Sequence, residues 1–289
     1  MESTAGKTRK SVLSIAGSDS SGGAGIQADI KTITAYHLFA QTAITSLTAQ
    51  NTTGVFGVFD ADPAFVAQQI DVVFQDIRPD AVKVGMVSSA GIVHAIADAL
   101  VRNGARNIVV DPVMVATSGS SLASSEALDA LRKELIPLAD VITPNIPEAE
   151  VLAGFAIQDE ADQERAARFL AGVAVPGVSA VAAPAVRAKA VMVKGGHGKS
   201  DANDVLADAD GNVSWFRSPR VDTANTHGTG CTLSSAIACG LAEGMALPDA
   251  IQSAKAYLTG ALAANLDLGK GSGPVDHMWN NEIRPSTRR

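Results

Sequence analysis

The chain is poor in aromatic residues: Phe, Trp and Tyr together make up 4% of its 289 positions. With 46% of the positions hydrophobic, the core has to be aliphatic and Ala-rich, as where helices pack on a parallel sheet. Cysteine is nearly absent. Cys231 and Cys239 are the two present, and both fall on one predicted helix, too far apart along it to bridge. That excludes a disulfide framework or a zinc spacing and fits a reducing, cytoplasmic compartment. No run of about 18 apolar residues occurs, so no membrane span is expected. Residues 1–10 are polar and basic with no apolar stretch behind them, unlike a signal peptide. They read as a flexible segment before a single domain over 11–289. Positive charge is also scarce, with 23 Lys and Arg against 30 Asp and Glu, a formal net charge of -7. No basic stripe is left for a nucleic-acid backbone. A nucleotide ligand stays open, because glycine loops bind phosphate through backbone N–H groups without net positive charge. Neither a sequence repeat nor an interdomain linker is visible.

Strands and helices alternate instead. Strands are expected at 11–17, 41–49, 81–85, 107–111, 141–142 and 190–193. A short edge strand or flap is expected at 55–59, and a hairpin at 203–207 and 213–216 around D-A-D-G-N. Helices are expected at 26–37, at 62–76 with Pro63 in the first turn, at 89–102 capped by Ser88 or Ser89, at 126–135, at 159–171, and at 248–266. Another follows Gly230. Residues 112–122 read as a loop, and 173–189, rich in Ala, Pro and Val without pattern, as an insertion or mobile loop. Such alternation implies an α/β fold with a mostly parallel sheet and helices on both faces. Ligands then bind beyond the carboxyl ends of the strands. Every unusual polar motif follows a strand: G-S-D-S-S-G-G-A-G, A-Q-N, G-M, D-P-V, T-P-N-I-P-E and K-G-G-H. All of them should meet at one edge of the sheet.

The stretch D-T-A-N-T-H-G-T-G-C-T over 222–232 anchors that edge. A glycine turn entering a helix collects N–H groups with no partner inside the helix, and they suit an anion. Cys231 in the first helical turn should favour its thiolate below the usual value of about 8.5. The alternative is a loop before a buried helix, with Cys231 as a small core residue. Asp111 and Glu148, each after a strand, suit magnesium with substrate phosphates as further ligands, as the nearby Asn145 suggests; otherwise they are helix-cap or turn residues. Lys194 points an ammonium at the same edge. His227 reads as a base or as a structural residue, while Thr226 and Thr229 are plausible phosphate contacts. The loop 22–25 lacks G-x-G-x-x-G, and Gly198-Lys199-Ser200 lacks the first glycine of a P-loop, so both motifs are discarded.

Taken together, S-I-A-G-S-D-S-S-G-G-A-G-I-Q-A-D, T-A-Q-N-T, K-V-G-M, D-P-V-M-V-A-T-S-G, I-T-P-N-I-P-E, V-K-G-G-H and N-T-H-G-T-G-C-T resemble the hydroxymethylpyrimidine/phosphomethylpyrimidine kinases of thiamine synthesis, in the ribokinase-like superfamily. The resemblance covers residues 11–277. It implies a three-layer α/β/α sandwich and ATP-dependent, magnesium-assisted phosphorylation of a pyrimidine hydroxymethyl group, then of the monophosphate. It places Gly17, Asp29, Gln50, Met86 and Val113 around the pyrimidine. Asp111, Asn145 and Glu148 go around magnesium and phosphate, Lys194, Thr226 and Thr229 on nucleotide phosphates, and Gly228, Gly230 and Cys231 in an anion hole. Cys231 stands where most of the superfamily has an Asp base. The resemblance further implies a homodimer without the extra domain fused in some relatives. A pyridoxal kinase is the neighbouring alternative, and a non-catalytic ligand-binding protein a more distant one.

Overall fold

Residues 9–114, 124–175, 187–196 and 201–281 are described in a computed structural model. The expected insertion at 173–189 lies mostly outside these residues, as do the discarded 198–200 motif and most of the 112–122 loop.

Nine strands form the sheet: β1 (Ser11–Asp19), β2 (Phe39–Asn51), β3 (Gly54–Asp60), β4 (Ala81–Val84), β5 (Ile108–Val110), β6 (Val141–Ile142), β7 (Ala190–Val193), β8 (Asp204–Asp208) and β9 (Val213–Phe216). Their order is β3-β2-β1-β4-β5-β6-β7-β8-β9. The central strands β2, β1, β4, β5, β6 and β7 run parallel, while β3, β8 and β9 join antiparallel. Helices α1 (Gly25–Ala35), α2 (Pro63–Asp76), α3 (Ala90–Arg102), α4 (Ser125–Ala130), α5 (Ile146–Ala153), α6 (Glu160–Leu170), α7 (Thr229–Ala242) and α8 (Leu247–Ala263) cover both faces.

Side chains alternate across a strand, and the two cores follow that period. Leu13, Ile15, Val82, Val84 and Val110 pack with α2 to α6, whereas Val12, Ala81 and Val109 pack with α1, α7 and α8. In A-V-K-V this alternation sends Lys83 to the α1/α7 side, fully buried. Each Val or Ile so buried contributes about 1.5–3 kcal/mol, which is how short strands hold a sheet with few aromatics.

Asp62 caps α2 through Ala64 and Phe65 N–H groups. Ser89 precedes α3 but makes no side-chain cap, and Ser88 Oγ donates to Asp60 instead. The helix expected over 126–135 is α4 followed by a π-helical turn, Leu131–Leu135. Helix α5 was not expected. Its signal was legible in N-I-P-E, a capping box in which Asn145 Oδ1 accepts from Glu148 N–H and Glu148 Oε2 accepts from Asn145 N–H. No helix among the described residues is long and apolar enough to cross a membrane.

Candidate active site

Two glycine loops meet at the carboxyl ends of the parallel strands. Asp19, at the end of β1, accepts from Ser21 N–H and Oγ, from Gly23 and Ala24 N–H, and pairs with His227 Nε2 at 2.8 Å. Burial opposes its ionisation, yet His227 and the Ser21 and Ala24 donors hold the carboxyl well below the usual range. This latch fastens the S-D-S-S-G-G loop to the turn before α7. The contact is close enough to require glycine: Gly228 has φ +84°, and a β-carbon there would stand 1.9 Å from the Gly23 carbonyl oxygen. Asp19 and His227 therefore hold the site together. Sequence reasoning passed over Asp19 and left His227 undecided.

Gly228 is the N-cap of α7, with no side-chain cap and no acidic residue in the first turn. Thr229 N–H turns back to the Thr226 carbonyl at 3.4 Å, and the N–H groups that follow it in the first turn of a helix are the ones that suit an anion. A β-carbon on Gly230 would lie 3.2 Å from Asp111 Oδ2 and 3.5 Å from Lys194 Nζ. Bare backbone at Gly230 therefore adjoins an acid–base pair. Lys194 Nζ is 2.8 Å from Asp111 Oδ1, and Thr143 Oγ1 donates to the same oxygen at 3.0 Å. Burial works against the Lys194 charge, but Asp111 and Glu148 hold its pKa above the ordinary value. For Glu148, burial outweighs Lys194 and raises the pKa. Asn145 joins this group through a bridge to Lys194. Asp111, Asn145, Glu148, Lys194, Gly228, Gly230 and Cys231 are therefore brought to one place, with Thr226 and Thr229 half-buried in the adjoining turn.

Three expectations change. Cys231 does not favour its thiolate: burial pushes the thiol up to about 11, outweighing Lys83 and the Gly25 N–H, with Asp29 and Asp111 adding to the rise. The helix end is outmatched because the half-buried sulfur is packed among protein groups and faces the charge of Asp29 and Asp111. Asp29 does not face an open pocket. It is fully buried, with Oδ1 taking Lys83 Nζ at 2.9 Å and Ser235 Oγ at 2.7 Å, and Oδ2 taking Lys83 Nζ at 2.9 Å and Ser14 Oγ at 2.5 Å. Asn145 and Glu148 spend part of their hydrogen bonding on the capping box.

The other residues expected around a ring are grouped more loosely. A β-carbon on Gly17 would touch Met86 Sδ at 3.4 Å. Val113 lines a small apolar cavity of about 10 Å³ with Gly85 and Val87, the chain neighbours of Met86. Gln50 lines a separate cleft of about 370 Å³ with Asn51, Thr52, His227, Lys270 and Ser272. His227 precedes Gly228, so this cleft adjoins the anion turn. Its far wall, 269–273, read only as a Gly-rich tail in the sequence, although its close glycine spacing signals a tight backbone approach. A β-carbon on Gly271 would stand 2.0 Å from the Thr52 carbonyl oxygen.

The phosphomethylpyrimidine kinase family profile matches residues 19–276. The chain belongs to the phosphomethylpyrimidine kinase family. It is 50% identical over 271 residues to the hydroxymethylpyrimidine/phosphomethylpyrimidine kinase of Rhizobium meliloti, covering 92% of this chain and 96% of that one. It is 48% identical to the thiamine biosynthesis bifunctional protein ThiED of Geobacter sulfurreducens, covering 93% of this chain but 52% of that protein. The chain thus spans about half the length of this fused relative. Among solved structures it resembles the phosphomethylpyrimidine kinase of Clostridium difficile, with TM-score 0.74 and 41% identity over 87% of this chain and 98% of that one. It also resembles an ADP complex of Bacillus subtilis pyridoxal kinase, with TM-score 0.81 and 34% identity over 94% and 98%. The family's sheet flanked by helices on both faces is the three-layer, ribokinase-like architecture expected from the sequence.

Proposed function

We propose that this chain transfers the terminal phosphoryl group of ATP to the hydroxymethyl oxygen of hydroxymethylpyrimidine, and a second one to the monophosphate formed, giving the diphosphate used in thiamine biosynthesis. One observation carries the reading: the uncapped start of α7 faces the Asp111–Lys194 pair across a residue without a side chain. Phosphoryl transfer asks mainly for positioning and for stabilisation of charge on the moving group, and this arrangement supplies both.

In the first step the hydroxymethyl oxygen bonds to the terminal phosphorus, the bond to ADP breaks and the hydroxyl proton departs; in the second an oxygen of the monophosphate, already ionised, makes the same attack and the bond to ADP breaks again. The Gly228, Gly230 and Cys231 N–H groups and Lys194 hold the phosphoryl oxygens, and Thr226 and Thr229 the rest of the nucleotide phosphates. In the first step Cys231 takes the hydroxyl proton through the minor thiolate fraction that its raised pKa leaves. The Asn145 amide N–H donors remain available to phosphate, since its oxygen serves the cap. Among the described residues no three His, Cys, Asp or Glu form a metal cluster. Magnesium still fits, because one or two carboxylates suffice when substrate phosphates complete its shell. Asp111 and Glu148 would hold it, and when bound it neutralises charge on the transferring group. The pyrimidine is assigned to Gly17, Met86, Val113 and Gln50, with Asp29 behind them as support. The two unbridged cysteines support a cytoplasmic setting.

Identity favours the pyrimidine kinases over pyridoxal kinase, 50% against 34%. The test is a product assay by mass with ATP, magnesium and either the pyrimidine alcohol or pyridoxal. Two successive phosphorylations of the pyrimidine are expected, and turnover of pyridoxal alone would overturn the reading. The Gln50 amide lies 3.0 Å from Thr48 Oγ1 and lines the cleft, and a primary amide offers both a donor and an acceptor to an aminopyrimidine edge. Gln50→Leu should therefore cost about 1–3 kcal/mol in kcat/KM for the pyrimidine. Unchanged discrimination would remove Gln50 from the pocket.

We further assign a homodimer across β3, an edge strand that exposes Phe56 (70%) and Phe59 (72%) beside Leu47 of β2. An exposed apolar edge seeks a partner. Sedimentation should give twice the 29.5 kDa chain mass, reduced to one by Phe56→Asp with Phe59→Asp. A wild-type monomer at micromolar concentration would exclude the assignment.

A further inference from the structure

Lys83 is the largest fully buried side chain in the described chain, and none of the roles assigned above uses it. A buried ammonium is costly unless paired, and its pair is unusually placed. Lys83 leaves β4 toward α7 and is held by both Asp29 oxygens at 2.9 Å. Asp29 in turn takes Ser235 Oγ of α7 at 2.7 Å. Ser235 lies one helical turn after Cys231, so both occupy the same face of α7. A β-carbon on Gly85 would stand 2.6 Å from Lys83 Nζ. The ammonium therefore lies alongside the carboxyl end of β4, toward the reacting edge.

We propose that Lys83 is a positioning residue for phosphoryl transfer, acting through Cys231 as a fixed positive charge beneath the sulfur, with Asp29 as its opposing partner. The charged groups whose fields reach the sulfur are Lys83 of β4, Asp29 of α1, Asp111 beyond β5 and Lys194 beyond β7. Lys83 favours negative charge on the sulfur, whereas Asp29 and Asp111 oppose it. Without Lys83, burial and the two carboxylates would act on the sulfur with the Gly25 N–H and Lys194 against them. The effect on turnover rests on the kinase reading above, but the effect on the thiol does not.

That separation makes the test decisive. Lys83→Met and Asp29→Asn break the same ion pair, so a purely structural pair would give both variants the same phenotype. A charge acting on Cys231 gives opposite ones. Alkylation of Cys231 by iodoacetamide at pH 9, read site by site by mass, follows the thiolate fraction. It should be about tenfold slower in Lys83→Met and several-fold faster in Asp29→Asn, where the Asp111 carboxylate still favours the Lys83 ammonium, since a nearby charge shifts the titration of a neighbouring group by about tenfold in thiolate fraction or more. The double variant, which removes both charges, should return toward wild type. In Lys83→Met kcat should fall about tenfold, in step with the thiolate fraction, with KM for ATP unchanged. Shifts in the same direction, no shift, or wild-type kcat in Lys83→Met overturn the proposal. If Lys83→Met does not fold, faster alkylation of Asp29→Asn supports the proposal, and an equal or slower rate overturns it. A wild-type chain that phosphorylates nothing sinks the kinase reading and leaves the alkylation result to judge the charge.

Discussion

Gly230→Val lowers turnover about 10³-fold and moves the melting temperature by only a few degrees. The added β-carbon would lie 3.2 Å from Asp111 Oδ2 and 3.5 Å from Lys194 Nζ, and the two methyl groups beyond it enter the space assigned to the phosphoryl group. Gly230 has no left-handed φ, so the substitution forces no backbone strain. Helix propensity favours either Ala or Val over Gly at an ordinary helical site, which offsets the tight contact. Losing one anion-hole donor costs about 10²–10³ in rate, and displacing the anion altogether should reach the upper end. Gly230→Ala should fall between, at about 10². Steady-state kinetics beside a thermal melt check this. A Gly230→Val enzyme with normal kcat and normal nucleotide affinity would move the anion away from α7.

The second large effect belongs to Lys194→Met, which should lose both stability and turnover. Asp111 is 2% exposed at its side chain and Lys194 14%, so removing the ammonium strands a carboxylate held by Thr143. Breaking a buried pair from one side costs about 3–5 kcal/mol, a fall of about 10 °C in a chain of this size. Turnover should drop at least about 10²-fold, because the ammonium also faces the phosphoryl position. Adding Asp111→Asn removes the stranded charge. The double variant should regain most of the lost stability and none of the activity. If the double variant melts like Lys194→Met, the pair is not the source of the loss. If Lys194→Met keeps its turnover, Lys194 does not touch phosphate.

These outcomes bear on how far a linear reading reaches. Regular alternation made the layers visible: V-L-S-I-A in β1 and A-V-K-V in β4 put apolar groups on both faces, as a parallel sheet requires. Short motifs after each strand identified the edge where chemistry collects, and N-T-H-G-T-G-C-T marked the turn into α7. Helix α5 is masked because T-P-N-I-P-E carries a carboxylate that suits a metal, although Asn145 and Glu148 also satisfy a capping pattern. The burial of Asp29 is illegible for a different reason. A carboxylate on an amphipathic helix looks alike in sequence whether it faces ligand or core.

Sequence alone determined the alternation, the order of the motifs and the chemistry each motif can offer, because these depend on neighbours along the chain. It did not determine which charges lie beneath Cys231 or that its thiol is raised. Those follow from Lys83 and Asp29 arriving from two other elements. A pKa is set by the dielectric and the charges within a few ångströms, and only the packed chain decides which residues those are.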